Sequence, residues 1–178
     1  MAGMHRLTEM ETAYLAGLVD GEGCIHIARV MANQGVNPSY VLRLAISQCD
    51  QAYLEYWRLK LGVGRVYRHK YDNENFRDGF DLVISANDAR MVLDLIKDHL
   101  MVKKAQAEIA IEFQQSFKKF PFLGYGYSVP KEVIEMRESY RQLLKDHKKI
   151  TIDHNDDEFR DLLQTIRDQP TCKQLPLL

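Results

Sequence analysis

Residues 15–23 read Leu15-Ala16-Gly17-Leu18-Val19-Asp20-Gly21-Glu22-Gly23, and this stretch with its flanks decides the fold. Upstream, Thr8 followed three residues later by Glu11 is a capping box, opening a helix with few breakers that runs to about Asp20. On this helix Ala13, Gly17 and Gly21 recur at intervals of four, so three small residues share one face and another backbone can approach closely there. Spacing alone leaves two readings for that face, packing on the protein's own sheet or contact with a second subunit. Past Gly23 the period changes to two, with Ile25 and Ile27 on one side and His26 and Ala28 on the other, as in a half-buried strand.

The same theme continues downstream. Met31 to Ser39, with Asn33, Gly35, Asn37 and Pro38, reads as a hairpin connection, and Tyr40 to Gln48 resumes alternation: Leu42, Leu44 and Ile46 face one way, Val41, Arg43, Ala45 and Ser47 the other. A helix from about Asp50 to Leu61 sets Leu54, Trp57 and Leu61 on one face and ends at Gly62. Val63 to Tyr71 and Phe76 to Ala86 form a second strand pair around the polar turn Asp72 to Asn75, and Asn87 is positioned to cap a third helix carrying Met91, Val92, Leu95 and Ile96. Further helices are expected over about Lys103 to Lys118, Pro130 to His147 and Asn155 to Arg167, with Phe120 to Tyr127 as a break. The expected fold class is α+β, in the order α-β-β-α-β-β-α: an antiparallel sheet with helices on one face, followed by C-terminal helices. One domain is expected over residues 1–178, with its core at about 8–118 and a helical extension at about 130–168.

Cys24, Cys49 and Cys172 are odd in number and scattered, so neither a disulfide framework nor a zinc site is indicated. No apolar run approaches the roughly 18 to 20 residues that cross a bilayer, and Met1 to Met10 has no signal-peptide core; a soluble, intracellular protein is expected. The net charge of −1, from 24 Lys and Arg against 25 Asp and Glu, argues against a nucleic-acid partner at the level of the whole chain. The distribution argues the other way, because Arg29 to Lys70 also holds Arg43, Arg58, Lys60, Arg65 and Arg68 against only Asp50 and Glu55.

The stretch at 15–23 resembles the LAGLIDADG motif of homing endonucleases, departing from it only at Val19, Gly21 and Glu22. The resemblance extends over Thr8 to about Lys118, because the element order around the motif is that of the family fold, whose sheet forms a saddle. It implies that the motif helices of two halves pack together through Ala13, Gly17 and Gly21. One visible motif implies half a site, and so a homodimer. It also implies that Glu22 binds the catalytic metal, with the Gly21 carbonyl as a further ligand; magnesium is the expected ion, with manganese able to substitute. Metal held by carboxylates activates water and neutralises charge on a phosphodiester, and magnesium accepts few protein ligands. The activity implied is intron homing: site-specific hydrolysis of both strands of a long, roughly two-fold symmetric duplex across the minor groove, leaving short 3′ overhangs.

A family pattern of the form Leu-x-x-Lys-x-x-Gln-Ala is matched by Leu100-Met101-Val102-Lys103-Lys104-Ala105-Gln106-Ala107, which implies that Lys103 is the basic residue near the cut phosphate, ahead of Lys104. The residue that organises water in some relatives falls at Asp50, flanked by Gln48 and Gln51, and the assignment among the three stays open. A position one turn later that is sometimes basic is Leu54 here. An antiparallel ribbon fits the major groove, so the polar parity of the strands is the expected reading surface: His26, Ala28, Val41, Arg43, Ser47, Arg65, Tyr67, His69, Asp81 and Val83. Arg43 and Arg65 are the expected guanine readers, since a guanidinium bonds O6 and N7 together. Arg68, Lys70 and Arg77 near the turns, with Arg29, are expected on DNA as affinity contacts. Two other readings stand beside this one: a non-cutting RNA maturase or DNA-binding regulator of the same fold, and a dimeric interaction module with no nucleic-acid role.

Overall fold

Thr8 begins the first helix as its capping box requires. In the computed structural model, which describes residues 7–31, 38–69, 78–119 and 129–148, the Thr8 hydroxyl accepts from the Glu11 amide at 3.2 Å and the Glu11 carboxylate accepts from the Thr8 amide at 2.9 Å. The Lys60 ammonium, 2.6 Å from the same carboxylate, is the main reason that the Glu11 pKa lies at about 2, with the Thr8 hydrogen bonds adding to it. Helix α1 runs Glu9–Glu22, and strand β1 (Gly23–Val30) follows with no linker. Gly23 makes that junction possible. A Cβ there would lie 2.5 Å from the Val19 carbonyl oxygen and 2.8 Å from Val19 Cα, both backbone atoms that cannot swing away. Gly23→Ala is therefore expected to cost about 1 to 3 kcal/mol as an overpacking change, seen as a lower urea midpoint at unchanged slope; an unaltered midpoint would show that the junction tolerates a side chain.

Strand β2 (Ser39–Gln48), helix α2 (Gln51–Leu61), strands β3 (Arg65–His69) and β4 (Gly79–Ser85), and helix α3 (Ala86–Ile96) follow. A short 3-10 turn at Lys97–His99 then leads to α4 (Lys104–Lys119) and α5 (Lys131–His147). Asp50 caps α2 by accepting from the Tyr53 amide at 3.2 Å, and Gly62 ends it in the left-handed region at φ 68°. The sheet is antiparallel throughout in the order β1-β2-β4-β3, so the two strand pairs are joined at the centre by β2 and β4.

The boundaries differ from the sequence expectation in places that the backbone explains. Gly64, at φ 88° and placed where a Cβ would lie 2.9 Å from side-chain atoms of Leu82 and Ile84, turns the chain, so β3 starts at Arg65 rather than Val63. Strand β4 stays paired through Ser85, leaving no room for a loop before α3. Ala86 takes a positive φ of 53° and Asn87 falls inside the first turn, where it accepts from Arg90 Nε at 3.0 Å and caps nothing. Of the connection expected over Met31 to Ser39, residues 32–37 lie outside the described residues and Ser39 already belongs to β2. The turn at 72–75, the break at 120–127, the helix at Asn155 to Arg167 and Cys172 also lie outside them, and Cys24 and Cys49 form no disulfide among the described residues. Contacts group residues 1–147 into one unit.

One face of the sheet supplies the core. Ile25, Ile27, Leu42, Leu44, Ile46, Leu82 and Ile84 are buried against Leu15, Ala16 and Val19 of α1, Leu54, Trp57 and Leu61 of α2, Val92, Leu93 and Ile96 of α3, and Ala110 and Phe113 of α4. Each such side chain contributes about 1.5 to 3 kcal/mol on leaving water, which fixes the parity of all four strands. Helix α5 is tied to the same face by buried Leu144 and by Glu138, which accepts from the Tyr40 hydroxyl at 2.7 Å and, within the helix, from Arg141 at 2.7 Å. Alternation then sends every second residue of the strands to the opposite face.

Candidate functional site

The strand register brings the predicted polar set together on that opposite face. His26 lies across from Arg43 and Ala28 from Val41; Arg43 and Ser47 lie across from Ser85 and Asp81; Arg65 and Tyr67 lie across from Val83 and Asp81. His69 follows Tyr67 on the same parity. Arg43, Ser47, Arg65, Tyr67 and His69 are exposed, and His26, Ala28, Val41, Asp81 and Val83 are half-buried. Neither Arg43 nor Arg65 has an ion-pair partner among the described residues, whereas Arg29, Arg58, Arg68, Arg90 and Arg141 each have one.

Arg29 and Arg68 stand apart from this set. Arg29 pairs in register with buried Tyr40 and sits 4.0 Å from Glu138, so it is on the helix-bearing face. Arg68 pairs in register with Phe80 and its Nε lies 2.8 Å from Asp78. A one-residue step in a strand changes the face, and the charge-rich sequence carried no other sign of it. Lys70 and Arg77 lie outside the described residues.

At one end of the open face, Glu22 closes α1. Its carboxylate is exposed and has no hydrogen-bond or ion-pair partner among the described residues. It borders an open recess of about 520 Å³ with Ser47, Gln48, Cys49, His69, Gly79, Phe80 and Asp81. Among the described residues no three His, Cys, Asp or Glu side chains come together as a metal cage; of the two carboxylates that line the recess, Asp81 is engaged by Ser47 and His69, and Glu22 is left, with the Gly21 carbonyl one residue before it.

Asp20 has a different task from Glu22. Its carboxylate accepts from the amides of Met101 at 2.7 Å, Val102 at 3.2 Å and Lys103 at 2.9 Å, and Lys103 Nζ donates to the Asp20 carbonyl. An anion at the start of α4 also meets the favourable end of the helix dipole. Lys103 is thereby anchored to the turn of α1 that ends in Glu22, although the two lie 81 positions apart in sequence. No local pattern announces this role for Asp20, because its partners come from a distant segment. Lys104, by contrast, is exposed in the first turn of α4.

The three residues left open around the end of β2 separate cleanly. Gln48 lines the recess with Glu22, Asp50 is committed to capping α2, and Gln51 is exposed in the first turn of that helix. Leu54 is fully buried in the core, so nothing basic reaches the site from that position.

The outer face of α1 is apolar and uncovered. Ala13, Gly17 and Gly21 are exposed, a Cβ on either glycine would meet nothing within 4 Å, and Met10 and Tyr14 beside them are 82% and 60% exposed. The inner face, with Leu15, Ala16 and Val19, does the packing on the sheet. The reading in which the small residues pack on the protein's own sheet is thus excluded.

Comparison with known proteins finds the same fold. The chain resembles the archaeal intron-encoded homing endonuclease I-Vdi141I, solved in complex with DNA, at 16% identity and a TM-score of 0.63, over 89% of this chain and 95% of that one. It also resembles I-CvuI, solved with a DNA target in the presence of magnesium, at 18% identity and a TM-score of 0.54, over 80% and 98%. The meganuclease I-AabMI, solved bound to uncleaved DNA, is 22% identical with a TM-score of 0.55, but the match covers 72% of this chain and only 42% of that one. At such identities the likeness concerns the fold. No curated protein matches the chain. The family model of the LAGLIDADG endonucleases matches residues 15–104, half of the sequence and every element from the motif to the start of α4, and the chain belongs to that family.

Proposed function

We propose that the chain is a site-specific homing endonuclease that works as a homodimer on a long, roughly two-fold symmetric DNA duplex. It hydrolyses one phosphodiester bond in each strand across the minor groove and leaves short 3′ overhangs. The observation that carries this reading is the open sheet face, on which Arg43 and Arg65 stand without an ion-pair partner among the described residues while other arginines are neutralised internally. A protein whose net charge is −1 but which, among the described residues, sets Arg43 and Arg65 without ion-pair partners on one ribbon surface has there the local positive field that phosphates require.

Glu22 fits a magnesium ion as a partial donor set. It is a hard oxygen ligand with no ion-pair partner among the described residues, and magnesium leaves most of its positions to water and phosphate. When bound, the metal supplies an activated water and neutralises charge on the phosphate. Lys103, held at the end of α1 by Asp20, brings a fixed positive charge to the same region, and Gln48 offers an amide to orient water. Dimerisation through Ala13, Gly17 and Gly21 places a second Glu22 beside the first.

Binding of the full chain to duplex DNA, measured over a range of salt concentrations, tests the reading against a protein interaction module. Affinity is expected to fall linearly in log–log form as phosphate contacts release counterions; binding that is absent, or indifferent to salt, would overturn it. Arg43→Ala and Arg65→Ala are each expected to relax sequence preference at one position per half-site, costing about 1 to 3 kcal/mol if the contact is bidentate. Competition with singly substituted duplexes measures this, and uniform weakening across all substitutions would show that the arginines contact phosphate instead.

A further inference from the structure

Ser47, Asp81 and His69 form a connected chain across strands β2, β4 and β3. The Ser47 hydroxyl donates to Asp81 Oδ1 at 2.7 Å, and His69 Nε2 lies 2.5 Å from Asp81 Oδ2. The carboxylate side chain is 24% exposed and the imidazole 52%, so the ring is the outward member and the carboxylate sits behind it. Both oxygens of Asp81 are already engaged within the sheet.

A carboxylate accepts hydrogen bonds and has no proton to give. The hydrogen bond at Oδ2 therefore requires the proton on Nε2, and in the neutral ring this leaves Nδ1 bare. Nδ1 has no partner among the described residues. Taken alone, an aspartate on a ribbon surface is a reader of the cytosine amino group; here its oxygens are turned to its neighbours and the polarity it would have offered passes to the histidine.

We propose that Ser47, Asp81 and His69 act as one base-reading unit, in which Asp81 is a positioning residue that fixes the imidazole tautomer and Nδ1 of His69 accepts a hydrogen bond from an exocyclic amino group in the major groove. The inference rests on the proposed DNA-binding reading of the open sheet face. Adenine N6 and cytosine N4 present such donors, whereas guanine and thymine present only acceptors at the corresponding edge. The unit thus favours cytosine or adenine at one position in each half-site. Ser47 holds the far oxygen of Asp81, which keeps the carboxylate from rotating to reach a base itself.

Asp81→Asn reverses the polarity. The amide oxygen still accepts from Ser47, but the amide nitrogen now donates to Nε2, so the proton moves to Nδ1 and the outward atom becomes a donor, as occurs when an aspartate behind a histidine is amidated in a catalytic triad. In the full-length protein at about pH 8, above the ordinary imidazole range, long-range proton–nitrogen NMR spectra are expected to show Nε2 protonated and Nδ1 bare in the wild type, and the reverse in Asp81→Asn. In parallel, selection from randomised duplexes by metal-free binding is expected to give cytosine or adenine at the His69 position for the wild type, and guanine or thymine for Asp81→Asn, each preferred about two- to tenfold. A bare Nε2 in the wild type, or the same tautomer in both proteins, overturns the coupling. Identical selected sequences from both proteins overturn the base-reading role alone. A wild type that selects no duplex at all overturns the DNA-binding reading together with it.

Discussion

Replacing Glu22 by glutamine is expected to reduce DNA cutting by orders of magnitude while leaving duplex binding nearly unchanged or slightly tighter. The expectation follows from the separation of two surfaces. Glu22 ends α1 with an exposed carboxylate that has no partner among the described residues, so the substitution removes no hydrogen bond or ion pair from the fold; the open face with Arg43 and Arg65 lies on strands that it leaves intact. Glutamine keeps the size of the side chain and removes its charge, and a magnesium ion loses the carboxylate that is its proposed protein ligand. An anion beside phosphates is also lost, which favours binding. Mobility shift in calcium or without metal reads the binding, and end-labelled duplex in magnesium reads the cutting. A purified Glu22→Gln protein that cuts at the wild-type rate would remove Glu22 from the chemistry. Lys103→Ala is expected to show the same division more weakly, since Lys103 is a charge held near the site and not a metal ligand.

Gly17→Leu is expected to yield a folded monomer that neither binds a full site tightly nor cuts it. Within one subunit the added side chain has room, because a Cβ on Gly17 meets nothing within 4 Å, and leucine is a better helix former than glycine by somewhat less than the roughly 0.8 to 1 kcal/mol that separates glycine from alanine. Thermal stability of the isolated chain should hold or rise. Between two subunits the same side chain fills the space in which the helices are proposed to approach. Sedimentation of the wild type at micromolar concentration should give a dimer and Gly17→Leu a monomer. A wild type that sediments as a monomer with DNA as well as without would count decisively against the dimer, and a Gly17→Leu dimer would move its interface away from α1.

Much of this was legible in the residues because burial fixes strand parity. Ile25 and Ile27, or Leu42, Leu44 and Ile46, need a core, and once they have one, Arg43, Ser47 and their neighbours are committed to the other face. Capping at Thr8 and termination at Gly62 were equally local, and so were readable. The motif at 15–23 located Glu22 but gave no role to Asp20, because the partners of Asp20 are amides at 101–103 and proximity between distant segments leaves no periodic trace. For the same reason the pairing of β2 with β4 and the bond from Tyr40 to Glu138 were invisible. The charge density around Arg29 suggests the DNA face, but its parity with Ile25 and Ile27 and its register partner Tyr40 put it on the helix-bearing face beside Glu138 of α5. Asn87 looked like a cap only because nothing in the sequence shows that β4 passes into α3 without a loop.

Mapping cut ends on a library of randomised duplexes, with the wild-type chain and magnesium, bears most directly on the proposed activity. A homodimer with one Glu22 per subunit predicts enrichment of a long site whose halves are related by approximate two-fold symmetry, with one cut in each strand placed symmetrically across the minor groove and short 3′ overhangs. Loss of every cut on removal of magnesium with a chelator is part of the same prediction. Ends without sequence enrichment, cuts confined to one strand, or cutting that persists without divalent metal would contradict it.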